Sequence, residues 1–578
     1  MQQQEQQQQE QQQEYTIIIQ DRNYAQWSGA PPGVSPSENK LFNNDVFTIA
    51  APSTVEIKHS PVRNATGIPG VLVLKNNKTY GRSAAKSGKL LYKCIPDDMR
   101  LPSFLVAYEI KNMGFSKVFH NIYIIFQFKE WSQKEKHPHA IITQTIGPVD
   151  VLEHFYEYQL YCKNLNASIQ NFMKETATKT KAKSKSFIED CKDRKLMYED
   201  RQSWKIFTID PQNSTDLDDA FSIRIQENGE ILLSIYISNV TVWMDALDLW
   251  DSFSRRISTI YLPDRKRPML PAILSDGLCS LLSGTTRVAF VMDITITSSR
   301  TIRDIRYSNC MIQVYKNYAY EEPDLLKDVN YMLLLQTAKE LIPAYKYITH
   351  SHVRDSHDVV SYFMIMMNYC TAQELMQHKN GIFRTTNCAV TCEPNELPQD
   401  VMKCIQKVSG QYIDMSALKE GDTVTHEAMQ MNAYVQITSP IRRLVDLLNM
   451  IQFQMNQGSG VSEKATQFYN KWLGEMEYIN TTMRSIRRVQ NDCCLLDYCT
   501  NTPRAFERVY TGYILDIMRE VEVDFTYCTV YLPELKLTSH RVVLGNSVKR
   551  YEKYDFKLYL FHDEEKFKKK IRLAKISE

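Results

Sequence analysis

At 578 residues, 43% hydrophobic and 24% charged, the chain has room for roughly three or four domains, each with ample core. A net charge of +2 excludes a globally basic or acidic protein, so any nucleic-acid surface must be local. With no apolar run of membrane length, no signal-peptide pattern and thirteen cysteines lacking a CxxC pair, the chain reads as soluble and intracellular, most simply cytoplasmic, with reduced thiols and no membrane partner. Cys388-x3-Cys392 is the nearest approach to a zinc spacing.

In chain order, residues 1–14 are almost entirely Gln and Glu and predict a disordered tail, because that composition cannot bury a core. A Pro/Gly/Ser-rich patch (GAPPGVSPSEN) follows, and order is expected to begin near Ala65. From 65 to 170 short β-rich segments alternate with turns: GVLVLKNNKTYGR around an Asn-Asn turn, then KLLYKCI, SFLVAYEI and VFHNIYIIFQF. Their density suggests one or two small OB-type barrels, whose aromatics serve either as core or as platforms for single strands. Residues 174–185 (KETATKTKAKSK) lack apolar periodicity and read as a solvated linker or a phosphate-contacting segment; either marks a boundary.

The most informative stretch is FTIDPQNSTDLDDAF, Phe207 to Phe221. Asp210, Asp216, Asp218 and Asp219 lie between two strand-like, buried-looking segments, in the second of which Phe221, Ile223 and Ile225 alternate with polar residues. Unpaired carboxylates there would cost several kcal/mol each. Divalent cations neutralise them most simply, and oxygen-only ligands suit magnesium or manganese, so the stretch reads as a metal site for phosphate chemistry. Asn228-Gly229 predicts a hairpin directly behind the cluster. If the segment is extended, Asp216 and Asp218 share a face and Asp219 needs a bulge to join them.

Next, STIYLPDRKRPMLPAILSDGLCSLLSG has prolines and a basic run that predict an ordered irregular loop rather than a helix. Tyr261 sits just before its first proline, as a core residue or as a stacking platform beside the metals. Residues 358–377 predict an amphipathic helix with Asp358 as N-cap and Val360, Phe363, Met364 and Met367 inward. In AYVQITSPIRRLVDLLNMIQFQMNQG, Ser439 and Pro440 predict an N-cap and first helical residue, with the helix stopping at Gly458. Arg442 and Arg443 would then stand in the first turn, where cations oppose the helix dipole unless an anion lies between them. Asp446, four residues on, is placed to hold Arg442.

Together these motifs resemble the ribonuclease II / ribonuclease R (RNB) family, which includes the catalytic subunit of the eukaryotic exosome. The likeness rests on TIDPQNSTDLDDAF, IYLPDRKRPMLP…LSDGLCSLL, HDVVSYFMIMMN and YVQITSPIRR, in the same order from about 200 to 500. It implies a multidomain α+β fold: N-terminal OB-type, cold-shock-like barrels over 65–170, a central α/β RNB catalytic domain over 187–505, and a C-terminal OB-type RNA-binding barrel over 508–575. The implied activity is magnesium-dependent (manganese possible) hydrolytic 3′→5′ exoribonuclease action on single-stranded RNA, processive, releasing nucleoside 5′-monophosphates. The chain would act as a monomer or join a larger RNA-decay complex. Carried over, Asp210, Asp216, Asp218 and Asp219 match the magnesium-site aspartates, with Asp218 and Asp219 taken as catalytic. Tyr261 matches the tyrosine orienting the terminal nucleotide, Arg442 the arginine at the scissile phosphate, and Arg443 a second RNA contact. The chain departs from the pattern at Gln490 (glutamate in bacterial members), Gln436 (histidine) and Leu444 (aromatic). The alternative from another class is a catalytically inactive RNB-fold RNA-binding protein.

Overall fold

The computed structural model describes residues 13–50, 54–83, 88–110, 119–183, 198–345, 353–386, 397–408, 410–418, 423–519, 525–563 and 568–576. Residues 1–12 of the Gln-rich tail and the Cys388/Cys392 pair lie outside these. None of the ten cysteines among the described residues is in a disulfide, and no described helix is long and apolar enough to cross a membrane. The chain divides into two compact units, Met1–Asn166 with Leu495–Glu507 and Leu558–Arg572, and Ala167–Cys494 with Arg508–Lys557 and Leu573–Glu578.

The first unit is ordered well before Ala65, contrary to the expectation from sequence. Strands β1 (Tyr15–Thr16), β4 (Val46–Ala50) and β5 (Thr54–His59) form a three-stranded sheet, and β2 (Ile18–Ile19) pairs with β3 (Trp27–Ser28). The reason is apolar: Ile17, Ile19, Leu41 and Phe47 from either side of the Pro/Gly-rich patch bury each other completely. Next, β6 (Ile68–Leu72), β7 (Leu90–Pro96), β8 (Phe104–Tyr108), β9 (Ile122–Glu130) and β10 (His139–Pro148) close a five-stranded barrel in the order β10-β8-β7-β6-β9. The expected Asn-Asn turn is there, with positive φ at Asn76 and Asn77. Phe104, Tyr123 and Phe126 are fully buried, so these aromatics are core. Helix α1 (Leu152–Cys162) follows.

The second unit opens with α2 (Gln170–Lys183), where the sequence suggested a linker. Its Lys/Thr-rich face is mostly solvated, while Phe172 and Thr176 are buried, the Thr176 hydroxyl donating to Phe172 O at 2.7 Å. The anchoring Phe172 lies just upstream of the Lys/Thr run, so that window shows no periodicity. Strands β11 (Tyr198–Asp210), β12 (Asp219–Ile225), β13 (Ile231–Ser238), β16 (Thr286–Ile296) and β17 (Ile302–Ala319) close a second five-stranded barrel in that order, β11 running parallel to β17. The predicted hairpin joins β12 and β13, with Gly229 at φ +79°. Alternation along the strands gives two apolar faces: Phe207, Phe221 and Ile223 pack toward the helices, while Ile206, Ala220 and Tyr236 belong to another cluster. Ile225, expected in the core, lies at the hairpin end and is 64% exposed.

Short ladders β14 (Ile260–Tyr261)–β15 (Lys266–Arg267) and β18 (Ile382–Thr385)–β19 (Gln411–Asp414) punctuate the helical layer. That layer comprises α3 (Val240–Ala246), α4 (Val329–Leu341), α5 (Ser356–Gln377), α6 (Gln399–Val408), α7 (Leu444–Asn456), α8 (Glu463–Leu473) and α9 (Met476–Asn501). Helix α5 is capped by Asp355, whose carboxylate accepts from Asp358 N at 2.9 Å, so Asp358 is inside the first turn, paired with Arg354 and Lys403. Helix α7 starts at Leu444 and is buried all round from Leu444 to Gln454, which hides any surface stripe. One π-helical turn, Ile273–Leu278, interrupts the loop predicted to be irregular throughout. Finally β20 (Tyr510–Arg519), β21 (Phe525–Leu532), β22 (Leu537–Gly545), β23 (Lys553–Asp563) and β24 (Lys568–Lys575) form a five-stranded sheet, in keeping with the expected C-terminal OB-type region.

Candidate active site

Four separate segments of the second unit converge at one end of its barrel. Asp210 closes β11, and Tyr320 N donates to its carbonyl at 3.0 Å. The chain then loops through 211–218 and re-enters the sheet at Asp219, the first residue of β12. Asp216 and Asp218 thus sit on a loop rather than an extended strand, and no bulge is needed to gather the carboxylates. Ser280 fixes that loop: its hydroxyl accepts from Leu217 N at 3.1 Å and donates to Thr215 O at 2.8 Å. Leu281 N donates to Leu217 O at 3.1 Å, so the LSDGLCSLL segment acts as a clamp.

The ITSPIRR segment is held equally firmly. Asn368 on α5 accepts from Ile437 N, Asn449 on α7 donates to Gln436 O, and Ser439 N donates to Asp446, all at 2.8–3.0 Å. Because Ser439–Arg442 form a turn ahead of α7, neither Ser439 nor Pro440 starts the helix, and Arg442 lies outside its first turn. The carbonyl of Arg442 accepts from Thr259 N and Ser258 Oγ, both at 3.0 Å, which ties it to the strand entering Tyr261.

The side chains meet in pairs. Arg442 Nε donates to Asp218 Oδ2 at 2.8 Å, and Ile441 N to Asp218 Oδ1 at 3.0 Å. Ser439 Oγ holds Arg442 Nη2 at 2.8 Å, whereas Asp446 holds Arg443 at 2.8 Å instead of Arg442 as expected. A three-residue spacing from a non-helical Arg443 brings that pair together. Tyr261 OH donates to Asp216 Oδ2 at 3.1 Å, and the ring stays 40% exposed, which sets it apart from a core tyrosine.

Electrostatics separate the four aspartates. Burial pushes Asp210 up to about 7, with Asp218 and Asp216 adding to the effect. Burial likewise raises Asp218 to about 6 against the opposing pull of Arg442. Asp219 is raised well above its ordinary value by burial and by repulsion from Asp210 and Asp218. Among the described residues Asp210 and Asp219 form no ion pair, and Asp210 Oδ2 is buried without a hydrogen-bond partner. An orphaned buried oxygen among mutually repelling carboxylates fits a hard divalent cation. No three His, Cys, Asp or Glu side chains among the described residues form a ready-made cage, because Asp216 and Asp218 are turned toward basic partners.

Sequence reasoning overlooked the second of those partners. Lys266 Nζ donates to Asp216 Oδ1 at 2.9 Å, Asp276 Oδ1 at 2.9 Å and Thr215 Oγ1 at 2.6 Å. Its signal was the register of β14 and β15, which pairs Lys266 with Tyr261. Of the departures, buried Gln436 bridges Tyr412 OH (2.5 Å, through its nitrogen) to Arg384 Nη1 (3.0 Å) and Arg443 Nη1 (2.8 Å) through its oxygen. Gln490 sits partly buried on α9, and among the described residues it makes no hydrogen bond to the aspartates. Leu444 is fully buried at the start of α7.

The RNB domain model matches residues 198–331 and 326–457, which include every residue of this site. Exoribonuclease 2 of Baumannia cicadellinicola subsp. Homalodisca coagulata is 24% identical over 399 residues, covering 57% of this chain and 60% of that protein. Exoribonuclease 2 of Vibrio parahaemolyticus is 37% identical over 116 residues, 20% of this chain and 17% of that one. The chain therefore spans less than two thirds of these curated relatives. Among solved structures, apo RNase R of Mycoplasma genitalium aligns with a TM-score of 0.65 at 16% identity, over 97% of this chain and 100% of that one. The same RNase R has been solved with ribose-methylated single-stranded RNA. Yeast Ssd1, a pseudonuclease, aligns with a TM-score of 0.55 at 12% identity, over 94% of this chain and 80% of that one. At such identities these two speak for the fold.

Proposed function

The chain belongs to the RNB family, and from that premise we propose that it is a magnesium-dependent exoribonuclease that hydrolyses single-stranded RNA from the 3′ end, processively, to nucleoside 5′-monophosphates. The observation that carries the reading is the convergence of Asp210, Asp216, Asp218, Asp219, Tyr261 and Arg442, from segments up to 232 positions apart, with two carboxylates left without a counter-charge. Residues 187–505 would form the catalytic domain, with 65–170 and 508–575 as flanking RNA-binding regions.

Of the four aspartates expected to hold magnesium or manganese, Asp216 and Asp218 have basic partners, and Asp210 and Asp219 would hold the cation; when bound, it supplies Lewis-acid help to hydrolysis of a phosphodiester. The exposed face of Tyr261 offers a stacking platform for the terminal base, its hydroxyl anchored on Asp216. Arg442, fixed by Asp218 and Ser439 yet 40% exposed at its side chain, presents its guanidinium to the scissile phosphate and offsets charge growing on the phosphoryl oxygens. Arg443, held by Asp446, supports a second RNA contact.

The inactive alternative gains one observation, that Lys266 and Arg442 already occupy two of the four carboxylates. A time course on 5′-labelled single-stranded RNA decides between them. The nuclease gives a metal-dependent ladder or short end product that EDTA and Asp218→Asn abolish. Intact RNA that is nonetheless shifted on a gel would favour the binding protein.

A further inference from the structure

The short β14–β15 hairpin does more than present Tyr261. Tyr261 and Lys266 are direct cross-strand partners, so both side chains leave the same face of the ladder. They take the two oxygens of one carboxylate, the hydroxyl on Asp216 Oδ2 and the ammonium on Asp216 Oδ1. The hairpin is itself rigid: Leu262 N donates to Arg265 O at 3.3 Å, and Asp264 grips Arg267 through both oxygens at 2.5 and 2.8 Å. Lys266 has no slack either. Its three acceptors come from the loop before β12 (Thr215, Asp216) and from the π-helical turn (Asp276), and Ser275 Oγ donates to the same Asp276 oxygen at 2.8 Å. The side chain is only 26% exposed.

An ammonium ringed by three oxygens at 2.6–2.9 Å, two of them carboxylate, sits where an oxygen-liganded cation would otherwise sit. Lysine is a compact point charge with three rotatable donors, which match the three acceptors of the nest. At the far side of the cluster Asp210 and Asp219 have no such partner. We propose that Lys266 is a resident counter-ion of the site: it holds Asp216 against Tyr261 and takes the place of a divalent cation there, leaving one divalent cation to Asp210 and Asp219. Lys266 is thus a positioning residue, and the inference rests on the nuclease reading above.

The test counts ions and does not depend on turnover. Full-length wild type, Lys266→Met, Lys266→Arg and Asp219→Asn are titrated with Mn2+ and free ion is followed by electron paramagnetic resonance, each variant first shown to melt cooperatively. The expected result is one tightly bound Mn2+ in wild type, lost in Asp219→Asn, and a second Mn2+ of similar affinity in Lys266→Met. Lys266→Arg keeps the count at one if it folds, because the charge is retained. One Mn2+ in both wild type and Lys266→Met, or two already in wild type, overturns the role of Lys266 and leaves the nuclease reading standing. No Mn2+ bound by any of the four overturns both.

Discussion

Two sets of carboxylates occupy the same five-stranded barrel and are treated in opposite ways. Asp293 on β16 is 4% exposed and fully answered: Arg201 meets both its oxygens at 2.8 and 2.5 Å, Ser234 donates at 2.6 Å and Arg306 at 3.2 Å. Burial alone would raise it, but these partners outweigh burial and hold it below the usual carboxylate range. Asp210 and Asp219 are half-buried, form no ion pair among the described residues, and are raised by burial and by the neighbouring carboxylates. The contrast marks Asp210 and Asp219 as candidates for completion by a group from outside the chain.

Breaking the satisfied set gives the largest expected effect on stability. Arg201→Met leaves buried Asp293 with only Arg306 and Ser234 as partners, and should lower unfolding free energy by about 3–5 kcal/mol in urea melts while RNA degradation per folded molecule is retained. On activity, Arg442→Ala should slow degradation about 10²–10³-fold per folded molecule, since its contribution is to charge developing on the phosphate, and it should also lower the melting temperature because buried Asp218 loses its charged partner. Tyr261→Ala removes one stacked base, so binding of single-stranded RNA by the Asp219→Asn background should weaken by ~1–3 kcal/mol in a filter assay.

The smallest effect concerns pH. Asp210 and Asp218 have folded values of about 7 and 6, above their ordinary 3.8. Each therefore favours the folded state below pH ~4 and loses that contribution as pH rises through its folded value. Asp293 has the opposite sign, contributing above its ordinary value and losing it in acid. In EDTA the melting temperature should fall by a few degrees between pH 5 and pH 7.5, and Asp210→Asn should flatten that slope.

Much of this was legible in the sequence because it is local. The four aspartates, the Asn228-Gly229 hairpin and the α5 helix follow from spacing within a few residues, and the ordered strand–loop–strand run positions Asp210 and Asp219 unaided. What escaped was set by tertiary partners. The α7 start moved to Leu444 because the Arg442 carbonyl and the Leu444 N–H bond to the segment before Tyr261, which holds the backbone around Arg443 extended. Asp446 answers Arg443 because Arg443, with φ −138° and ψ 125°, precedes the helix that Leu444 begins. Lys266 read as one charge in a basic run, and only the cross-strand register sets it beside Tyr261. The order before Ala65 was hidden because its four core residues are scattered around a loop-forming patch.

The central claim is that the unsatisfied carboxylates are completed by a divalent cation. The most direct test is the melting temperature of wild type and Asp219→Asn at pH 7.5, each in EDTA and in millimolar magnesium. Magnesium should raise the wild-type melting temperature and bring the pH 7.5 value back toward that at pH 5, while leaving Asp219→Asn unmoved. Equal wild-type melting temperatures in EDTA and magnesium would contradict it.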